Sequence, residues 1–124
     1  MTRAPDARHR SGRRGEDLAR RWLEARGWPI VAANWRGGGA ELDLVARDGA
    51  VLVFVEVRRR GPRARVDAVA SVDARKCARL ARGARAFIAV HGVPAGGARF
   101  DVIAFERDGS VVHLTHAFRL DDLR

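Results

Sequence analysis

Several things are scarce or missing in these 124 residues, and each absence removes a class of protein. Cys77 is the single cysteine, which excludes an internal disulfide and a cysteine-based zinc site. That usage fits a reducing, cytoplasmic compartment. No stretch approaches the roughly 18 consecutive apolar residues that a membrane helix needs, so no membrane partner is expected. The opening Met1-Thr2-Arg3-Ala4-Pro5 is not followed by the apolar core of a secretory signal. There is no phosphate-binding glycine loop, no dinucleotide fingerprint and no Ser-His-Asp arrangement. His9, His91 and His113 lack metal-ligand spacing. Lysine is nearly absent as well: Lys76 stands alone among 24 basic residues, the rest being arginine, as GC-rich coding favours.

What is present is a chain able to fold. At 47% hydrophobic residues it can bury a core, and its length suits one domain. The net charge is +9 and the pI near 11.6, but the charge is unevenly spread. Residues 1–36 carry nine arginines against four acids, for +5. Residues 37–57 carry Arg47 against Glu41, Asp43, Asp48 and Glu56, for −3. Residues 58–85 carry nine arginines and Lys76 against two acids, for +8, and the remainder is −1. Basic surfaces favour polyanions, because neutralised phosphates release counterions. The acidic island between the two basic segments calls for a separate explanation.

The pattern along the chain predicts an α/β domain over residues 11–120 behind a mobile basic arm at 1–10. Leu18, Ala19, Trp22 and Leu23 recur at helical spacing, with Ser11 as N-cap and Gly27 as stop. Residues 28–35 read as a strand, and 40–46 and 51–58 as a hairpin through an Asp48-Gly49 turn. Val72, Lys76, Leu80, Phe87 and Val90 mark a long helix over about 67–90, with a break expected at Gly83. Strands at 98–106 and 111–116, joined through Asp108-Gly109, close the order α-β-β-β-α-β-β around a mixed sheet.

A two-residue Asp48-Gly49 loop pairs Asp43 with Phe54 and Glu41 with Glu56. Period-two alternation then gathers Glu41, Asp43, Glu56 and Arg58 on one sheet face. Like charges directly opposed in a sheet are destabilising. Glu56 is also embedded in Val51-Leu52-Val53-Phe54-Val55-Glu56-Val57, the most apolar run of the chain. An ionised carboxylate there needs a partner or a shifted pKa. Two kinds of partner are open: a hard divalent cation, magnesium or manganese, or a buried ion pair with no metal, Glu56 with Arg58 or Glu41 with an arginine.

Glu41-Leu-Asp43-Leu-Val-Ala, the Asp-Gly turn and Val53-Phe54-Val55-Glu56-Val57-Arg58 resemble the YraN-like family of small bacterial proteins. Gly15-Glu16, Lys76, Arg99-Phe100-Asp101-Val102 and Ala117-Phe118 match in the same order, so the resemblance spans roughly residues 12 to 118. That family looks in turn like the restriction-endonuclease superfamily, in particular archaeal Holliday-junction resolvases. The resemblance implies a restriction-endonuclease-like αβββαβ core, a central mixed sheet flanked by helices, plus a C-terminal hairpin. It implies a site of one Asp, a Glu-x-Lys on the next strand and a helix Glu, carried here by Asp43, Glu56 and Glu16 around Mg2+ or Mn2+, with Glu41 as a further acid. It also implies a homodimer. The superfamily lysine is Arg58 in this chain. Arginine stabilises negative charge but is a poor general base.

Arg58, Arg59, Arg60, Arg63 and Arg65 form a basic cluster leaving this site, suited to nucleic acid. Glu16 is either a site acid or a solvated acid complementing the helix dipole, and Lys76 either a phosphate contact or part of a solvated face. Asp101 is expected opposite His116 as a structural hydrogen bond. Trp22, Trp28 and Trp35 are expected on the core rather than stacking bases, and Cys77 inside it. The leading expectation is thus a metal-dependent endonuclease-like protein acting on DNA, branched or junction DNA included, by phosphodiester hydrolysis. The alternatives are a non-catalytic nucleic-acid-binding domain that retains the fold, motivated by Arg58, and a protein-interaction module with a basic face.

Overall fold

The computed structural model describes residues 7–59, 74–106 and 108–118, with the side chains of 7–14, 59 and 118 outside that description. Helix α1 spans Ala7–Ala25 and is followed by strands β1 (Ile30–Gly37), β2 (Ala40–Asp48) and β3 (Val51–Arg59). Helix α2 (Ala74–His91) leads to β4 (Ala98–Phe105) and β5 (Val111–Phe118). The five strands form one mixed sheet in chain order, antiparallel except where β3 and β4 run parallel. Parallel neighbours need a long crossover, and α2 lies within it. The expected αβββαβ core with a C-terminal hairpin is therefore present.

Both faces of the sheet are covered. Val53 and Val55 of β3 pack with Ala19 and Leu23 of α1. Leu52 and Phe54 pack with Leu80, Ala84 and Phe87 of α2. Alternate residues of a strand point to opposite faces, so the helices lie on opposite sides of the sheet. This is why β3 reads as a continuous apolar run instead of an alternating one. Trp22 and Trp28 pack on the α1 side and Trp35 on the α2 side, and Cys77 is buried, as their residue types suggested.

Four local expectations are corrected. Helix α1 already includes Ala7–Arg10, so the helix starts before Ser11, which is not its N-cap. The first turn uses Gly49-Ala50, because Asp48 pairs with Val51. Gly49 has φ +60°, and a glycine at the first central position suits the type II′ hairpin turn. Asp48 is meanwhile held by Arg99 at 3.0 Å. Helix α2 runs unbroken through Gly83, where a Cβ would lie 3.1 Å from Leu42 Cδ2 and 3.2 Å from Ala40 Cβ. The glycine thus admits β2 against the helix and does not break it. In the second hairpin Phe105 pairs with Val111, a connection longer than the two residues expected, and a register shift follows between Phe100 and Val102. The basic loop containing Arg60, Arg63 and Arg65 and the start of the long helix lie outside the described residues.

Candidate active site

The site forms where β2 parts from β3. Their pairing ends at Leu44↔Val55, whereas β2 stays paired to β1 as far as Ala40 and β3 stays paired to β4 as far as Arg59. The local cause is a change of face. Leu44 and Ala46 belong to the α1 side, but Leu42 belongs to the α2 side, so alternation breaks at Asp43. Asn34 lies between Ala33↔Leu44 and Trp35↔Leu42 in the β1–β2 register, hence opposite Asp43, and has φ +52°. Asn is among the few L-residues that tolerate this left-handed conformation. At the split, Asp43 Oδ2 accepts the Val57 N–H at 2.9 Å, in place of a strand carbonyl.

Extending the register by one residue sets Asp43 opposite Glu56, where Glu41 had been expected. The turn correction is a slip of two residues, which preserves the face. Asp43 and Glu56 therefore stay together while Glu41 moves away. Glu41 pairs with Arg36 across β1 and makes a 3.3 Å ion pair to it on the surface. It does not join the carboxylate pair.

Helical spacing brings in the rest. Glu16 shares a face of α1 with Ala19 and Leu23, which pack on the sheet, and its charge acts on Asp43. Lys76 is one turn before Leu80 on the buried stripe of α2 and places Nζ 2.8 Å from Glu56 Oε1. Arg58 reaches the same oxygen at 3.3 Å. The Arg58 Nε is buried with no acceptor among the described residues. The backbone of Arg59 closes β3.

Burial, and next the charge of Glu56, push the Asp43 carboxyl up to about 7. The Val57 N–H works against this, while Glu16 and a hydrogen bond with Glu56 add to it. Two facing carboxylates cannot both ionise cheaply in a partly desolvated site. Near neutrality the pair therefore accepts either a proton or a cation.

A second polar group lies one residue along the sheet on the opposite face. Asp101 pairs in register with Val55 and is completely buried. It accepts from Arg99 Nε at 3.0 Å, from His113 Nε2 at 2.8 Å and from the His116 N–H at 3.2 Å. Trp22 Nε1 donates to His113 Nδ1 at 3.1 Å, so the ring carries its proton on Nε2. The expected Asp101–His116 bond thus runs to the backbone, and the ring partner is His113. Burial opposes ionisation of Asp101, but His113 and Arg99 outweigh it and hold the carboxyl below its usual range.

These features define a restriction-endonuclease-like α/β domain with paired carboxylates at a split in its sheet. Sequence comparison gives the family. The model of the uncharacterised protein family UPF0102 matches residues 15–105. A UPF0102 protein of Halorhodospira halophila is 47% identical over 120 residues, covering 96% of this chain and 94% of that one. One from Burkholderia lata is 50% identical over 108 residues, covering 86% and 75%, and one from Klebsiella pneumoniae is 41% identical over 114 residues, covering 85% and 89%. The chain belongs to the UPF0102 family, the YraN-like family that its motifs resemble. Among the described residues, no helix is long and apolar enough to cross a membrane.

Proposed function

We propose that this protein is a Mg2+- or Mn2+-dependent nuclease that hydrolyses phosphodiester bonds of DNA. The observation that carries the reading is the Asp43–Glu56 pair at the strand split, short of positive charge on Asp43 and bordered by Lys76 and Arg58. The donors are hard oxygens, which suit these ions. Among the described residues no three His, Cys, Asp or Glu side chains converge as a closed ligand set. A pair with open positions is nonetheless what magnesium uses when one or two carboxylates hold it and substrate phosphates complete its shell. Asp43 and Glu56 would hold the ion, with Glu16 adding negative charge behind Asp43. When bound, the ion would lower the pKa of a coordinated water and stabilise the leaving oxygen.

The chain's own groups do the rest. The Val57 N–H fixes the Asp43 carboxylate, and Lys76 with Arg58 fixes that of Glu56. The lysine that Arg58 replaces in the motif is regained in space by Lys76, from the next helix. The Arg58 guanidinium, held beside Glu56, adds positive charge for a phosphate at the site. Arg59, Arg60, Arg63 and Arg65, next along the chain, supply charge for flanking phosphates.

The test is cleavage of single-stranded, duplex and branched DNA with manganese. Wild type should cut at least one substrate, Asp43→Ala and Glu56→Ala should abolish cutting, and Lys76→Ala should lose at least tenfold. A wild type inactive on every substrate would sink the proposal. Arg58 in the lysine position favours a second reading, a binding domain that has lost catalysis. That reading predicts DNA binding that survives or strengthens in Asp43→Ala and Glu56→Ala, with no cleavage.

A further inference from the structure

A groove of about 440 Å3 opens beside the site, lined by Arg36, Gly37, Gly39, Ala40, Glu41 and Arg79. We propose that it is a backbone-phosphate subsite for the nucleic-acid strand entering or leaving the carboxylates; the inference rests on the nucleic-acid reading above. Three observations carry it.

The groove is rigidly built. Gly38 has φ +61°, and a Cβ there would fall 2.6 Å from the Arg82 carbonyl, so the β1–β2 turn sits directly on the α2 backbone. Gly83 admits Ala40 and Leu42 against the same helix. Close approach at these two glycines fixes the distance between the walls. The groove is also continuous with the site. Arg79 follows Lys76 by three residues, about 4.5 Å along the helix. Lys76 and Arg79 are therefore close enough along α2 to meet neighbouring phosphates of one strand.

The groove's charge is, finally, available. Arg79 is exposed and has no carboxylate partner among the described residues. Arg36 has only Glu41, in an ion pair whose side chains are 82% and 41% exposed. Exposed pairs of this kind hold weakly, and a phosphate offers Arg36 a bidentate partner instead. Glu41 thereby becomes a brake on phosphate binding and not part of the carboxylate pair.

The experiment is fluorescence anisotropy of labelled single-stranded and branched DNA without divalent ions, titrated with salt, on the full chain. Arg36→Ala and Arg79→Ala should each reduce the slope of log K against log salt by about 0.7–0.9, and weaken binding about five- to eightfold at 0.1 M salt. Glu41→Gln should tighten binding. Arg20→Ala, on helix α1 across the sheet, should change neither slope nor affinity. Unchanged slopes in both arginine variants, with wild type binding normally, would overturn the subsite and leave the nuclease reading standing. Wild type that ignores DNA at low salt but binds polyglutamate would overturn both, in favour of an acidic protein partner.

Discussion

Asp43 on β2 and Asp101 on β4 flank β3 in one sheet, and burial works to raise the pKa of each, yet they titrate in opposite directions. Asp101 is the more deeply buried, but every oxygen it has is met by a donor from Arg99, His113 or the His116 backbone. Asp43 meets one N–H and two carboxylates, Glu56 and Glu16. Burial therefore does not separate a structural acid from a functional one; the sign of the neighbours does. A fully satisfied network ties α1, β2, β4 and β5 together. The unsatisfied Asp43–Glu56 pair costs stability instead; under the proposed function that cost leaves a place for a cation, as functional sites depart from the rules that stabilise a fold.

The comparison breaks most visibly at Asp101. Asp101→Ala strands the His113 N–H, the His116 N–H and part of the Arg99 guanidinium inside the protein, at a cost of about 3–5 kcal/mol. Urea denaturation should show it, and a loss under 1 kcal/mol would mean that the network is not what holds the sheet. Asp43→Asn should act in the reverse sense. The folded-state pKa of Asp43 is raised from 3.8 to about 7, so between these values the folded protein holds a proton that the unfolded chain has released. Stability then falls as pH rises through that window. The asparagine variant escapes the penalty, gaining about 2–4 kcal/mol at pH 8 and nothing near pH 4. Asp101, with its lowered pKa, contributes stability above about pH 4 that is lost on acidification. Calorimetry at pH 4, 6 and 8 separates the two trends.

A cation should relieve the same strain that asparagine removes. Manganese at a hundred times its dissociation constant should stabilise wild type by about 2.7 kcal/mol at pH 8. It should do little for Asp43→Asn. Equal stabilisation of both proteins would place the ion elsewhere.

Much of this was legible in the sequence, and the errors have physical causes. Element order followed from hydrophobic period and glycine punctuation, and the pairing of Asp43 with Glu56 on one face survived a wrong register because the slip was of two residues. The same slip misplaced Glu41. It arose because the common Asp-Gly turn was assumed, whereas Asp48 is drawn into a contact with Arg99, distant in the chain. The change of face at Asp43 was invisible, since it depends on Asn34 of the neighbouring strand adopting a left-handed conformation. Lys76 left a signal that was read only in part. It falls on the stripe of Leu80 and Phe87, and a lysine among buried positions needs a carboxylate to meet. Which one it meets was a question of tertiary structure.

The smallest effect tests how the satisfied network is tuned. Trp22 Nε1–H and the Arg26 guanidinium both approach His113 Nδ1, at 3.1 and 3.4 Å. Two donors at Nδ1 force the ring proton onto Nε2, where it serves Asp101. Trp22→Phe keeps most of the aromatic surface packed against the core on the α1 side and deletes one of those donors. About 1 kcal/mol should be lost, measurable as a small shift in the urea midpoint with an unchanged slope. The remaining donor, Arg26, still selects the same tautomer, so the Nε2 proton of His113 should stay visible by nitrogen NMR at neutral pH. Cleavage should be unaffected, because this network lies on the face of the sheet away from Glu56. A fall in cleavage with intact stability would show that the two acid centres are coupled through the sheet.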